Sequence, residues 1–166
     1  MKNRKGFTLL ELLIAATIVA ALAVMATVAY RNGVIETRIQ AAKTRTEVLA
    51  GAVQRFVLDY GASKLGAGPE LQRLAAKGAC APNGMIVSSL INCDYVDNDG
   101  GWNDPYFAYY VCNGVKTAGT PCSKTTLNAP LACMWGRSNQ NKLPAKYKTN
   151  YSYCVSATGN EEKFGS

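Results

Sequence analysis

Between Phe7 and Tyr30 the chain carries one formal charge, Glu11, in an otherwise uncharged run, FTLLELLIAATIVAALAVMATVAY. As an α-helix this run spans ~36 Å, enough to cross a ~30 Å hydrocarbon core. Lys2, Arg4 and Lys5 precede it, and the positive-inside bias puts residues 1–5 in the cytoplasm and the remainder outside. Three simple readings compete. One is a cleaved signal peptide with Ala21-Leu22-Ala23 as an A-x-A site. One is a plain membrane anchor. The last is a buried core helix, for which the run is too long and too uniform. Glu11 is awkward for the first two, because a central Asp costs about 2.5–3.5 kcal/mol on translocon scales. Near a helix end the cost is smaller but still positive, so something must offset it.

The 166 residues, 48% of them apolar, suffice for one compact domain plus one extra element. The formal net charge is +7 and the pI is near 9.2. Without the three basic residues ahead of the run, fifteen Lys and Arg face eleven acids. That mild excess permits contact with acidic surfaces or nucleic acid without demanding it. There is no histidine, which removes every mechanism that needs an imidazole base or metal ligand. The six cysteines, Cys80, Cys93, Cys112, Cys122, Cys133 and Cys154, all lie beyond the apolar run, and none are at zinc-type C-x(2–4)-C spacing. An even count and wide spacing behind an export-like start point to disulfides outside the cytoplasm; free buried thiols are the alternative.

The segment Lys5-Gly6-Phe7-Thr8-Leu9-Leu10-Glu11 resembles the processing signature of type IV pilins and their pseudopilin relatives. The resemblance covers roughly the first third of the chain and implies that prepilin peptidase cuts between Gly6 and Phe7. Phe7 is then N-methylated, and Glu11 is the glutamate that in the family's filaments lies near a neighbour's N-terminal amine. Two charges that are costly alone become tolerable when paired at low dielectric, which offsets the cost of Glu11. Ala29-Tyr30 matches a pair common in the family. Val28 departs from it, since many members carry proline there; this chain has no proline before Pro69. The first helix is therefore expected to be more continuous than in relatives, with Gly33 as its weak point at ~1 kcal/mol against alanine.

Beyond the run, Ile35, Ile39, Ala42, Thr46, Leu49, Val53, Phe56 and Tyr60 recur at steps of four and three, one mainly apolar helical stripe. Gly61 should end it. The expected division is a leader (1–6), a transmembrane and assembly helix (7–30), its amphipathic continuation (31–60), and a disulfide-bonded periplasmic or extracellular head (61–166). Within the head, 61–69 reads as loop and 69–77 as a short helix opened by Pro69. Residues 84–91, 106–111, 131–135 and 151–156 are rich in aromatic and β-branched types and read as strands; Asn113-Gly114 is a turn signal. The polar tail from Gly159 reads as loose. The fold class is α+β, a long N-terminal helix packed on a small, mainly four-stranded antiparallel sheet, as in type IV pilins.

Other candidate sites have plain alternatives. Asp94, Asp97, Asp99 and Asp104 share one loop and could hold calcium, as some pseudopilins do in a loop, but Asp, Asn and Gly clusters are also ordinary turn chemistry. Asp97 and Asp99 as an acid–base pair lack any nucleophile constellation. Arg137, Lys142, Lys146 and Lys148 interleave with Tyr147, Tyr151 and Tyr153, a combination able to hold nucleic acid; a solvated basic face with inward tyrosines is the commoner outcome. Six cysteines allow fifteen pairings. The expected pairing is the sequential one, Cys80–Cys93, Cys112–Cys122 and Cys133–Cys154, because local loops close at small entropy cost and the last bridge would clamp the C-terminal strands, as disulfides near the C-terminus do in many pilins.

The expected protein is a non-enzymatic pilin, anchored in the inner membrane as a precursor and then assembled as a helical homo-oligomer on the cell surface, with prepilin peptidase and an assembly machine as partners. A pseudopilin of type II secretion is the close alternative, and a secreted binding module with an ordinary signal peptide the distant one. Adhesion, motility and DNA uptake are not distinguished. Glycine offers no side chain to clash in a peptidase cleft, so Gly6→Val should leave a longer, unmethylated, membrane-bound precursor. Normal maturation of that variant, read by mass, contradicts the cleavage assignment.

Overall fold

The computed structural model describes residues 8–64, 79–80, 88–97, 101–102, 104–114, 120–137 and 151–164. The chain divides into two compact units, Met1–Ile39 and Gln40–Ser166. Helix α1 runs Leu9–Tyr60, 52 residues, without a break at Val28 or Gly33. It ends where expected: Gly61 adopts φ 88°, and its N–H donates to the Val57 carbonyl at 2.8 Å, a left-handed glycine cap open to a residue without Cβ.

In the second unit, Ala42, Thr46, Leu49, Val53 and Phe56 are buried on one side of α1, the 3.6-residue stripe. The buried Thr46 hydroxyl donates to the Ala42 carbonyl at 2.9 Å, so that polar group is satisfied within the helix. Against this stripe lies an antiparallel sheet of order β1-β2-β3-β4, with β1 Phe107–Cys112, β2 Leu131–Gly136, β3 Ser152–Ser156 and β4 Glu161–Phe164. Pairing sets Tyr109, Met134 and Tyr153 abreast on one face, and the Tyr153 hydroxyl donates to Glu47 of α1 at 3.0 Å. Burial first, then its carboxylate partners, pushes the Tyr153 hydroxyl well above the usual tyrosine range. On the opposite face Tyr110, Cys133, Cys154 and Glu162 stand abreast.

That opposite face has its own small core. Cys112, Cys122, Leu131, Cys133 and Cys154 are buried together, with Tyr110 and Leu127 packed against them. Cys112 bonds Cys122, Cys133 bonds Cys154 directly across β2 and β3, and Cys80 bonds Cys93. A short 3-10 turn, Pro121–Ser123, carries Cys122. The sheet is thus covered by a helix on one side and by disulfide-tethered chain on the other, which is why nearly every residue of β1, β2 and β3 is buried. Each bridge can contribute about 3 kcal/mol by restricting the unfolded chain.

Two expectations are corrected. Residues 88–91, assigned to a strand, belong to the short helix α2, Ser88–Asn92. Adjacent Leu90 and Ile91 are both buried, which a half-exposed strand forbids because successive side chains there point to opposite faces. The tail, read as loose, forms β4. Its turn is closed by Gly159, at φ 88°, with Gly159 N–H on the Ser156 carbonyl at 2.9 Å and Ser156 N–H on the Asn160 carbonyl at 2.8 Å. The strand is held by polar contacts rather than apolar burial, so its Glu-Glu-Lys composition concealed it. The helix expected at 69–77 and residues 84–87 lie outside the described residues.

The end of α1 is tied to the loop after α2. Arg55 Nη2 donates to the Tyr95 carbonyl at 3.1 Å, and the Tyr95 hydroxyl donates to Asp59. The Tyr95 ring meets Phe56 edge-on at 5.5 Å. The Asp59 hydrogen bond, with burial behind it, pushes the Tyr95 hydroxyl up to about 12. Further along, Trp102 Nε1 donates to the Asp97 carbonyl at 2.7 Å, and Arg45 Nη1 donates to the Gly101 carbonyl. A Cβ on Gly101 would overlap the Arg45 guanidinium. Gly101→Ala should therefore displace Arg45 and cost about 1.5–3 kcal/mol, the range of a charged hydrogen bond. Denaturant unfolding checks it: with Arg45→Met already present, Gly101→Ala should add little, and full additivity contradicts the contact.

Candidate functional site

The N-terminal turn of α1 assembles around Glu11. Thr8 precedes the first helical residue, and Glu11 is the third residue of the helix. The Thr8 backbone N–H donates to Glu11 Oε2 at 2.9 Å, the Thr8 hydroxyl donates to the same oxygen at 3.0 Å, and the Glu11 N–H donates to Thr8 Oγ1 at 3.2 Å. This is a reciprocal capping box, in which each side chain satisfies a backbone donor that the first turn leaves without a partner. A negative carboxylate also suits the positive end of the helix. The Thr-x-x-Glu spacing was present in the sequence, and Thr8 is the residue whose role the sequence analysis missed; a cap of this kind is worth about 1 kcal/mol.

Beyond the cap the helix is apolar on all sides and uncovered. Leu9 is 83% exposed and Val28 57%, with Leu13, Ile18, Leu22 and Met25 between them also open. The hydroxyls in this stretch are turned inward onto the backbone: Thr17 donates to the Ile14 carbonyl at 2.8 Å and Thr27 to that of Ala23. The surface therefore presents methyl groups rather than open donors, as a hydrocarbon surround requires. Among the described residues α1 is the one helix long and apolar enough to cross a membrane.

Gly6 and Phe7 lie outside the described residues. So do Asp99 and residues 138–150, which carry Lys142, Lys146, Tyr147 and Lys148. Of the remaining loop carboxylates, Asp104 is committed to the backbone, its Oδ1 accepting from the N–H groups of Tyr106 at 2.7 Å and Phe107 at 3.1 Å. Among the described residues no group of three or more His, Cys, Asp or Glu converges on a point that could hold a metal ion. Tyr151 and Tyr153 are buried, turned into the fold rather than toward a nucleic-acid ligand, and Arg137 Nε donates to the Asp104 carbonyl at 3.1 Å.

A family model described as the prokaryotic N-terminal methylation motif matches residues 1–27. No curated protein matches the chain, and no solved structure does. The match takes in the basic start, Gly6, Phe7, the Thr8–Glu11 cap and most of the exposed apolar helix. Together with that helix it fits a precursor held in the inner membrane. The disulfide-bonded unit on its four-stranded sheet is of the pilin-like α+β class. Residues 1–27 thus carry the prepilin signature of type IV pilins and pseudopilins.

Proposed function

We propose that this chain is the structural subunit of a type IV pilus, a non-enzymatic pilin cut between Gly6 and Phe7, methylated on Phe7 and assembled into a surface filament through α1. The observation that carries the reading is an apolar helix exposed on every side except for one carboxylate at its start, inside the matched motif. Lipid covers such a surface before assembly and neighbouring helices cover it afterwards. A pilus subunit is favoured over a secretion pseudopilin by the cysteines: two of the three disulfides staple the outer face of the sheet, a provision suited to a long life outside the cell.

Glu11 then has two successive partners. In the unassembled chain its carboxylate is occupied by Thr8. Cleavage creates a cationic amine on Phe7, and in the filament that amine on one subunit is the partner for Glu11 of the next. Removing water and replacing hydroxyl and amide donors by a full charge favours the exchange only where the surround is apolar. The pair fixes axial register more than it adds net stability.

Glu11→Gln separates the two roles, because glutamine also closes a capping box while carrying no charge. That variant should be cleaved, stable and membrane-bound, with few or no filaments when cells are imaged by electron microscopy. Filaments in normal number and length contradict the charge exchange. Deletion of the gene should abolish the filaments; surface filaments unchanged without it contradict the pilin reading itself.

A further inference from the structure

The segment after Cys122, residues 124–130, crosses the outer core of the sheet and encloses space on both sides. One cavity of about 210 Å³ is lined by Cys112, Cys122, Thr125, Leu127, Ala129 and Leu131 among others. A second, of about 260 Å³, lies between the same segment and the β3–β4 turn, with Asn128, Pro130, Ser156 and Thr158 on its walls. Leu127 packs on the cysteine cluster. Cys122 is 7% exposed and Cys112 1%, so this bond sits at the floor of the first cavity with residues 124–130 as its wall.

One carboxylate from the far edge strand holds that wall. Glu162 Oε2 accepts from the Thr125 hydroxyl at 2.6 Å and from the Thr126 N–H at 2.8 Å; Oε1 accepts from the Thr126 hydroxyl at 3.0 Å. Thr125 Oγ1 in turn accepts from the Leu127 N–H at 3.1 Å. Among the described residues the charged groups around it are few. β1, β2, β3 and the Pro121–Ser123 turn contain none. Lys124 is held over the Trp135 ring at 5.4 Å. On its own strand Glu161 and Lys163 flank it, Lys163 lying over the Tyr153 ring at 5.9 Å. Burial pushes the Glu162 carboxyl up, but the hydrogen bonds from Thr125, Thr126 and Leu127 outweigh it and hold it below the usual glutamate range.

We propose that residues 124–130 are a latched lid over the Cys112–Cys122 disulfide, and that Glu162 is the latch that sets how fast a dithiol reductant opens the bond. The chemistry is an ordinary two-electron exchange. A dithiol's thiolate attacks Cys122 Sγ, Cys112 leaves as thiolate and takes a proton, and the dithiol's second sulfur displaces Cys122. The reductant departs as a cyclic disulfide, having supplied two electrons and two protons. Opening of the lid precedes attack, so the rate follows the population of the open form. A carboxylate held below its ordinary range stabilises the closed lid above that range, and the effect is lost as pH falls through the depressed value.

The test uses the full-length chain in detergent micelles and a water-soluble phosphine, which reduces a disulfide at the expense of water and works in acid. Timed acid quench, alkylation and mass mapping give the rate at each bond, and Cys80–Cys93, which joins the chain on either side of α2 rather than the latched segment, is the reference within the same molecule. The ratio of the Cys112–Cys122 rate to the reference should rise roughly tenfold in Glu162→Ala at pH 6, the loss expected for a charged hydrogen-bond cluster. In the wild type it should rise similarly between pH 6 and pH 3. Glu162→Ala should then show no further pH dependence, and Glu162→Gln should fall between the two. An unchanged ratio in Glu162→Ala, or a pH rise that persists in it, overturns the latch. A variant in which both bonds open together has lost the fold, and the wild-type pH series then decides.

Discussion

Apolar side chains that find no cover in their own chain must find it in lipid or in neighbours. From Leu9 to Val28 the helix leaves every large side chain in the open, and each buried methylene is worth about 0.8 kcal/mol to whatever covers it. That constraint orders the remaining features. It explains why Thr17 and Thr27 turn their hydroxyls onto the backbone, why the one carboxylate sits at the first turn where amide donors are open, and why no proline interrupts the span. A helix with these properties is suited to two apolar surrounds in succession, a bilayer and a bundle of like helices.

The second unit solves a different problem. The four-stranded sheet has two faces, and among the described residues one long helix to cover them. α1 covers one face with the stripe from Ala42 to Phe56. The other is covered by a chain segment with little regular structure of its own, fastened by Cys112–Cys122 at one end and by Glu162 at the other. The Cys112 and Cys133 sulfurs approach to 4.0 Å, so two bridges share one small core. Covalent and polar fastenings stand where a larger domain would place a second helix.

The features legible in the sequence were those carried by local periodicity. The steps of four and three from Ala42 to Phe56 gave the buried stripe, Gly61 gave the helix end, and β1, β2 and β3 lie within a residue or so of their expected bounds. What was hidden depended on distant partners. β4 is charged because Glu162 reaches back to Thr125 and Thr126, thirty-six and more residues earlier in the chain. Residues 88–91 look strand-like in composition, yet Leu90 and Ile91 are both buried on a helical turn. The Thr8–Glu11 cap was legible by its spacing, but a carboxylate in an apolar run drew attention to its charge rather than to its hydrogen bonds.

The most direct measurement is the mass of the chain recovered from material sheared off the cell surface, with its N-terminal peptide sequenced. A pilin that reaches its apolar surround by prepilin processing should begin at Phe7, one methyl group heavier than the bare sequence, with all of Leu9–Val28 retained in the filament fraction. A chain that begins after Ala23 has shed Glu11 and most of the apolar helix; that result contradicts assembly through α1.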